Sequence, residues 1–178
     1  LPWHGARISF LAQFLLALLK VRSVNLAELA TGFGGRAKID SHYKRLQRFF
    51  RSFSIDYNDL ARLLVRLFPV GDGPWRLTLD RTNWQFGKTD INFLVLGIAC
   101  HGIALPIFWS VLDKPGNSNT AERIALMERF LAVFGASKIA ALLADREFVG
   151  EAWFRWLQQH HIPFHQRLKR DTLAPNRR

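Results

Sequence analysis

The sequence predicts an α/β protein, with a small all-helical domain over residues 1–70 followed over residues 74–178 by a mixed sheet in the order β-β-β-α-β-α-β. Three observations predict it. Apolar residues recur at helical spacing as far as Phe68 and at strand-like spacing from Trp75 onward. The turn-rich Gly71-Asp72-Gly73-Pro74 separates the two patterns and sets the expected domain boundary. A composition of 49% hydrophobic and 13% aromatic residues can fill a core and excludes a disordered chain.

The helices come first. Ile8 to Lys20 is apolar on most sides, Asn25 to Ala30 is a short second helix and Ser41 to Ser52 a third, with Gly32, Gly34 and Gly35 breaking the second from the third. Ser41, a hydroxyl residue before a periodic run, is the expected N-cap. In the third helix Leu46, Phe49, Phe50 and Phe53 fall at i, i+3, i+4 and i+7 and line one face for a core. Lys44, Arg48 and Arg51 occupy the opposite face, with Arg45 at its edge. The pattern fits a helix-turn-helix presenting cations to phosphates, although a merely solvated face is the commoner meaning of such a stripe on one helix. A fourth helix, Tyr57 to Phe68, stops before Pro69.

Trp75 to Leu79, Phe93 to Cys100 and Ile103 to Leu112 then read as successive strands, which favours antiparallel pairing. Residues 91–112 are numerous enough to span a bilayer, but Asn92, Gly97, His101, Gly102, Pro106 and Trp109 fit two buried strands turning at His101-Gly102 better. Asn119 and Glu122 have capping-box spacing and open a helix expected to stop near Gly135. Ile139 to Ala144 is a short buried strand, Gly150 to His160 a helix and Phe164 to Leu168 a fifth strand.

The net charge of +11 lies at the two ends. Residues 1–70 hold eleven Lys or Arg against four acids, residues 71–166 nine against nine, and residues 167–178 five against one. A basic head suits a polyanion, because phosphate binding releases condensed counterions. Cys100 is the single cysteine, so no intrachain disulfide forms and a cytosolic setting is expected. The apolar stretch from Ile8 to Leu19 carries Gln13 and lacks a cleavage pattern, so it does not read as a signal peptide.

Chemistry concentrates on two aspartates. Asp80 follows Leu77-Thr78-Leu79 and Asp145 follows Ala140-Ala141-Leu142-Leu143-Ala144, so each carboxylate ends an apolar strand and each is followed by Arg. A carboxylate beside a sheet is costly unless it is paired or binds a cation. With the first and fourth strands as parallel neighbours, both would share hard-cation coordination suited to phosphoryl transfer. The plainer alternative for each alone is that Asp80 pairs with Arg81 or another Arg and that Asp145 caps the next helix.

Among weaker candidates, His160, His161 and His165 lack partners at metal-binding spacing and read as surface histidines. Asn83 and Trp84 either touch a ligand or pack the strand edge, packing being the expectation for Trp84. Gly32, Gly34 and Gly35 do not make a phosphate loop, since no Lys-Ser or Lys-Thr follows.

The string Leu79-Asp80-Arg81-Thr82-Asn83-Trp84, followed by Asn92-Phe93-Leu94, resembles the first catalytic-aspartate motif of DDE transposases of the fourth insertion-sequence family. Ala144-Asp145-Arg146-Glu147-Phe148 is similar to the second motif. Lys114-Pro115-Gly116-Asn117-Ser118 between them, and Ser41 to Phe50 in the third helix, extend the likeness across most of the chain.

The resemblance implies a retroviral-integrase-like (RNase H-like) core, with Asp80 and Asp145 as catalytic residues holding Mg²⁺ or Mn²⁺. It also implies double-stranded DNA as partner, at element ends and at the target, with a homodimer in the DNA complex, no membrane, and a place at the bacterial nucleoid. Lys44, Arg45, Arg48 and Arg51, with Arg36 and Lys38, are the expected DNA contacts. A third ligand, Glu in a Tyr-Arg-Glu type motif, normally lies far downstream, whereas 33 residues follow Asp145 here. Glu147 and Glu151 read instead as charges at a helix N-terminus. The expectation is therefore an incomplete core, a fragment or truncated copy unable to transpose DNA unaided. Two other functions remain open, a non-catalytic DNA-binding inhibitor and a host nuclease on the same core.

Overall fold

The computed structural model describes residues 3–87 and 89–167, so Leu168, the expected end of the last strand, and the basic residues after it lie outside the described part. The chain divides into two compact units, Leu1–Asp56 and Tyr57–Arg178.

The first unit holds α1 (Gly5–Val21), α2 (Leu26–Thr31) and α3 (Ile39–Ser52). His4 and Asn25 cap the first two through Nδ1 and Oδ1, which accept from the amides of Ala6 and Ala27. Phe10, Ala17, Leu29, Ala30, Phe33 and Leu46 form its core. The rings of Phe10, Phe33 and Phe49 meet at 4.9–5.5 Å between centroids, within the range of favourable aromatic pairs.

Three details differ from expectation. Lys38, not Ser41, occupies the N-cap of α3 and makes no side-chain capping bond. The helix starts early because Ile39 and Asp40 already have helical geometry, with Asp40 supplying the acidic charge in the first turn. Phe50 is 53% exposed, packing edge-on against Phe14 and Phe49 at the rim of the core. Residues 32–38 separate α2 from α3, more than the three or four residues of a helix-turn-helix turn.

The second unit begins with α4 (Tyr57–Leu67), which the sequence pattern groups with the preceding helices. Ala61 is fully buried in the core of this unit and Tyr57 meets the Trp109 ring edge-on at 5.2 Å, so burial rather than the 71–74 turn sets the division between units. The rest follows as β1 (Trp75–Phe86), β2 (Thr89–Cys100), β3 (Ile103–Leu112), α5 (Thr120–Phe134), a 3₁₀ turn (Ala136–Lys138), β4 (Ile139–Ala144), α6 (Glu151–Gln159) and β5 (Phe164–Gln166).

The strands lie in the order β3-β2-β1-β4-β5, antiparallel among the first three and parallel from β1 to β4 to β5. This is the mixed α/β core that the resemblance implies. Alternation along the strands puts Leu77, Leu79, Leu94, Leu96, Ile98 and Leu105 on one buried face. Leu126, Met127 and Phe130 of α5, with Trp153 and Leu157 of α6, share that core. Asn119 and Glu122 form the full capping box, each accepting the other's backbone amide, and Gly135 ends α5 as expected.

Gly97 marks a close approach between β2 and its neighbours. The β2–β3 register shifts between Leu96 and Gly97, and Pro106 sits at that irregularity on the edge strand, where a proline is tolerated. A Cβ on Gly97 would stand 2.9 Å from the Leu105 carbonyl oxygen and 3.0 Å from Thr78 Oγ1. Gly97→Ala is therefore expected to cost about 1–3 kcal/mol, through forced backbone displacement, in urea unfolding of the protein. A wild-type midpoint would show that the two strands separate freely.

Candidate active site

β1 pairs in parallel with β4 only as far as Leu79↔Ala144, and the residue that follows each of these is an aspartate, Asp80 still on β1 and Asp145 just past β4. Asp80 and Asp145 thus leave the last rung of the ladder side by side, on strands spaced about 4.8 Å apart. Both are exposed, and both line one open cleft of about 610 Å³ with Thr78, Leu143, His165 and Arg167.

The two carboxylates are held alike. Oδ1 of Asp80 accepts from the Arg81 amide and Oδ1 of Asp145 from the Arg146 amide, each at 2.7 Å. Asp80 does not take the Arg81 guanidinium as its partner, and Asp145 is not a helix cap. The Arg81 guanidinium turns to Glu147, and the N-cap of α6 is Gly150, so Asp145 does not cap that helix.

Asp80 does not end its strand, because β1 continues to Phe86 in antiparallel register with β2 while β4 turns away. Asp80, Arg81, Thr82 and Asn83 hid this extension, since four polar residues in a row interrupt the apolar pattern before Trp84 and Phe86 resume it. The site therefore lies where one strand of a parallel pair departs, which opens a cleft at the C-terminal edge of the pair.

A polar network runs from Arg81 to Arg123. Arg81 donates to Glu147 through Nε and Nη2, the closest contact being 3.1 Å, and through Nη1 to Asn83 Oδ1 at 2.6 Å. Glu147, in the turn after β4, is thus the partner of Arg81 on β1 and not the helix N-terminal charge expected of it, whereas Glu151 does sit in the first turn of α6 and pairs with Arg155. Arg123, 4% exposed, donates to Ser118 Oγ and to the carbonyls of Ser118, Val149 and Glu147. Burial pushes its guanidinium below the ordinary pKa, opposed by Glu147 and then Glu122. Asn92, also buried, donates to the carbonyls of Lys114 and Gly116, which ties that segment to β2.

Trp84 departs from expectation: it is 67% exposed and lines a groove with Asp80, Thr82, Phe93 and Val95 instead of packing the strand edge. His160 and His161 are exposed as expected. His165 is exposed too, but lies in the carboxylate cleft, where only the β4–β5 register Leu143↔His165 brings it. Sequence spacing carried no signal for that, nor for the Arg81–Glu147 pair.

The expected phosphate contacts lie in the other unit. Arg36, Lys38, Lys44, Arg48 and Arg51 are exposed, and Arg45 is half-buried with its guanidinium over the Phe10 ring at 5.0 Å.

Among the described residues no three His, Cys, Asp or Glu side chains cluster as a metal site. Two carboxylates do fit a hard cation of the Mg²⁺ kind, which takes one or two protein carboxylates and completes its shell with water and substrate phosphate. No described helix is long and apolar enough to cross a membrane.

A family model described as a transposase DDE domain matches residues 71–176. No curated protein matches the chain. Among solved structures, the HTLV-2 integrase catalytic core domain in complex with magnesium is similar at 16% identity and a TM-score of 0.41, over 55% of this chain and 63% of that one. A simian T-cell lymphotropic virus intasome in complex with the PP2A regulatory subunit B56 gamma is similar at 11% identity and a TM-score of 0.45, over 87% of this chain and 52% of that one. The chain thus spans less than two thirds of the length of either.

Proposed function

Because the chain belongs to the transposase DDE domain family, we propose that it is the DNA-handling part of a transposase that cleaves strands at element ends and joins them to target DNA. The observation that carries the reading is the β1–β4 register, which sets Asp80 and Asp145 beside each other at the mouth of one cleft. Asp80 and Asp145 would hold Mg²⁺ or Mn²⁺. When bound, the cation supplies the Lewis acidity that in-line displacement at phosphorus requires. The chain's own residues orient the two carboxylates through the Arg81 and Arg146 amides and leave the cleft open to a backbone phosphate.

In this reading the reaction takes a third carboxylate, a Glu in a Tyr-Arg-Glu type motif, which the Asp80–Asp145 pair does not itself supply. These 178 residues accordingly bind DNA and cation without transposing DNA unaided. Incubation with inverted-repeat DNA and Mg²⁺, alone and as part of a polypeptide extended through a downstream Tyr-Arg-Glu motif, tests this. Cleavage is expected only from the extended protein. Robust cleavage by the 178 residues overturns the incompleteness. DNA binding by both with cleavage by neither favours a non-catalytic occupant of element ends.

DNA engagement is assigned to Lys44, Arg45, Arg48 and Arg51, with Arg36 and Lys38. Neutralising about five phosphates would give a log–log salt slope of about −4 to −5, and Arg48→Ala should flatten it by about one. Affinity that ignores salt between 50 and 200 mM, a range in which such slopes cost about a hundredfold or more, removes this assignment.

A further inference from the structure

Past Leu79↔Ala144 no ladder hydrogen bond ties β1 to β4, yet the two aspartates stand one residue beyond that rung. β1 goes on with β2, and β4 becomes the loop that leads to α6. Left to the backbone, the carboxylates would sit on two diverging chains. The first side-chain cross-link beyond the rung is Arg81 to Glu147, one residue after Asp80 and two after Asp145.

We propose that Arg81 and Glu147 are a positioning pair that sets the separation of the Asp80 and Asp145 carboxylates and thereby the affinity of the site for a divalent cation. The proposal rests on the reading that these aspartates hold the metal. Three features support a positioning role. The side chains are 14% and 25% exposed, so the pair is shielded from the solvent that weakens surface ion pairs. The Arg81 fork is used on both sides, with Nε and Nη2 on Glu147 and Nη1 on Asn83, which fixes its plane. Glu147 is anchored in turn, because its carbonyl accepts from the buried Arg123, which also binds Ser118 and Val149. A rigid frame thus reaches from the 118 loop to the strand carrying Asp80. Outer partners of this kind orient ligating carboxylates, and their loss typically lowers metal affinity about 10–100-fold.

The test is a Mn²⁺ titration of the 178-residue protein, followed by paramagnetic broadening of the amides of Arg81 and Arg146, which needs no turnover. Arg81→Gln and Glu147→Gln are expected to weaken Mn²⁺ binding about tenfold or more, and Arg81→Lys to fall between them and wild type because an ammonium has no fork. The charge-exchanged double variant, Arg81→Glu with Glu147→Arg, should recover most of the loss, which a variant that merely misfolds cannot do. Wild-type Mn²⁺ affinity in both Gln variants, beside an Asp80→Asn control that loses binding, overturns the positioning pair and leaves the metal site standing. Mn²⁺ binding that is absent from wild type or indifferent to Asp80→Asn overturns the metal reading, and this proposal with it.

Discussion

Asp80→Asn and Asp145→Asn should each abolish divalent-cation binding at the cleft and lower DNA cleavage by the extended polypeptide at least about a hundredfold, the scale on which removal of one charge-stabilising group acts. Neither should destabilise the fold. Each carboxylate is exposed and bonds the backbone amide of the next residue, a contact that an Asn Oδ1 can also make. Two acids side by side also repel each other without a cation, so either Asn variant should melt at or slightly above the wild-type temperature in EDTA. Adding Mg²⁺ should then stabilise wild type alone, because only a state with both carboxylates gains binding free energy. Thermal scans with and without Mg²⁺, beside a cleavage time course, give both readouts. An Asn variant that keeps cleaving at the wild-type rate removes these residues from the chemistry.

Arg123→Met should cost about 3–5 kcal/mol of stability, the largest loss expected from a polar position in the second unit. Met replaces much of the buried volume but offers no donor to the carbonyls of Ser118, Glu147 and Val149. It also removes the guanidinium from above the Phe148 ring, 5.3 Å away. Arg123→Lys restores charge without the fork and should recover only part of the loss. Urea midpoints of the three proteins check this. A Lys variant as stable as wild type would mean that charge alone, and not several carbonyls held at once, explains why a guanidinium is buried there. Because the Glu147 and Val149 carbonyls belong to the segment leading from Asp145 to α6, weaker Mn²⁺ binding should accompany the lost stability.

Local chemistry was legible in the sequence. Asn119 and Glu122 announce a helix start because the reciprocal capping bonds involve residues three apart, and Gly135 announces its stop. His101-Gly102 reads as a turn because both positions adopt positive φ, at 48° and 82°. Ser41 misled because a hydroxyl before a periodic run is a necessary sign and not a sufficient one, and Ile39 and Asp40 had already entered the helix. The fourth helix was grouped with its neighbours in sequence because helical periodicity says which face is apolar without saying what that face meets.

The sequence by itself determined the element order and the apolar faces, since each depends on residues a few positions apart and on the 2.0 and 3.6 periods of strand and helix. Only the tertiary structure decided that β1 outruns β4 and that Arg81 serves Glu147 instead of Asp80. It alone placed His165 in the cleft and left Trp84 exposed. Those outcomes are set by register between strands and by the pairing of a guanidinium and a carboxylate 66 residues apart, and neither is written in any local stretch of chain.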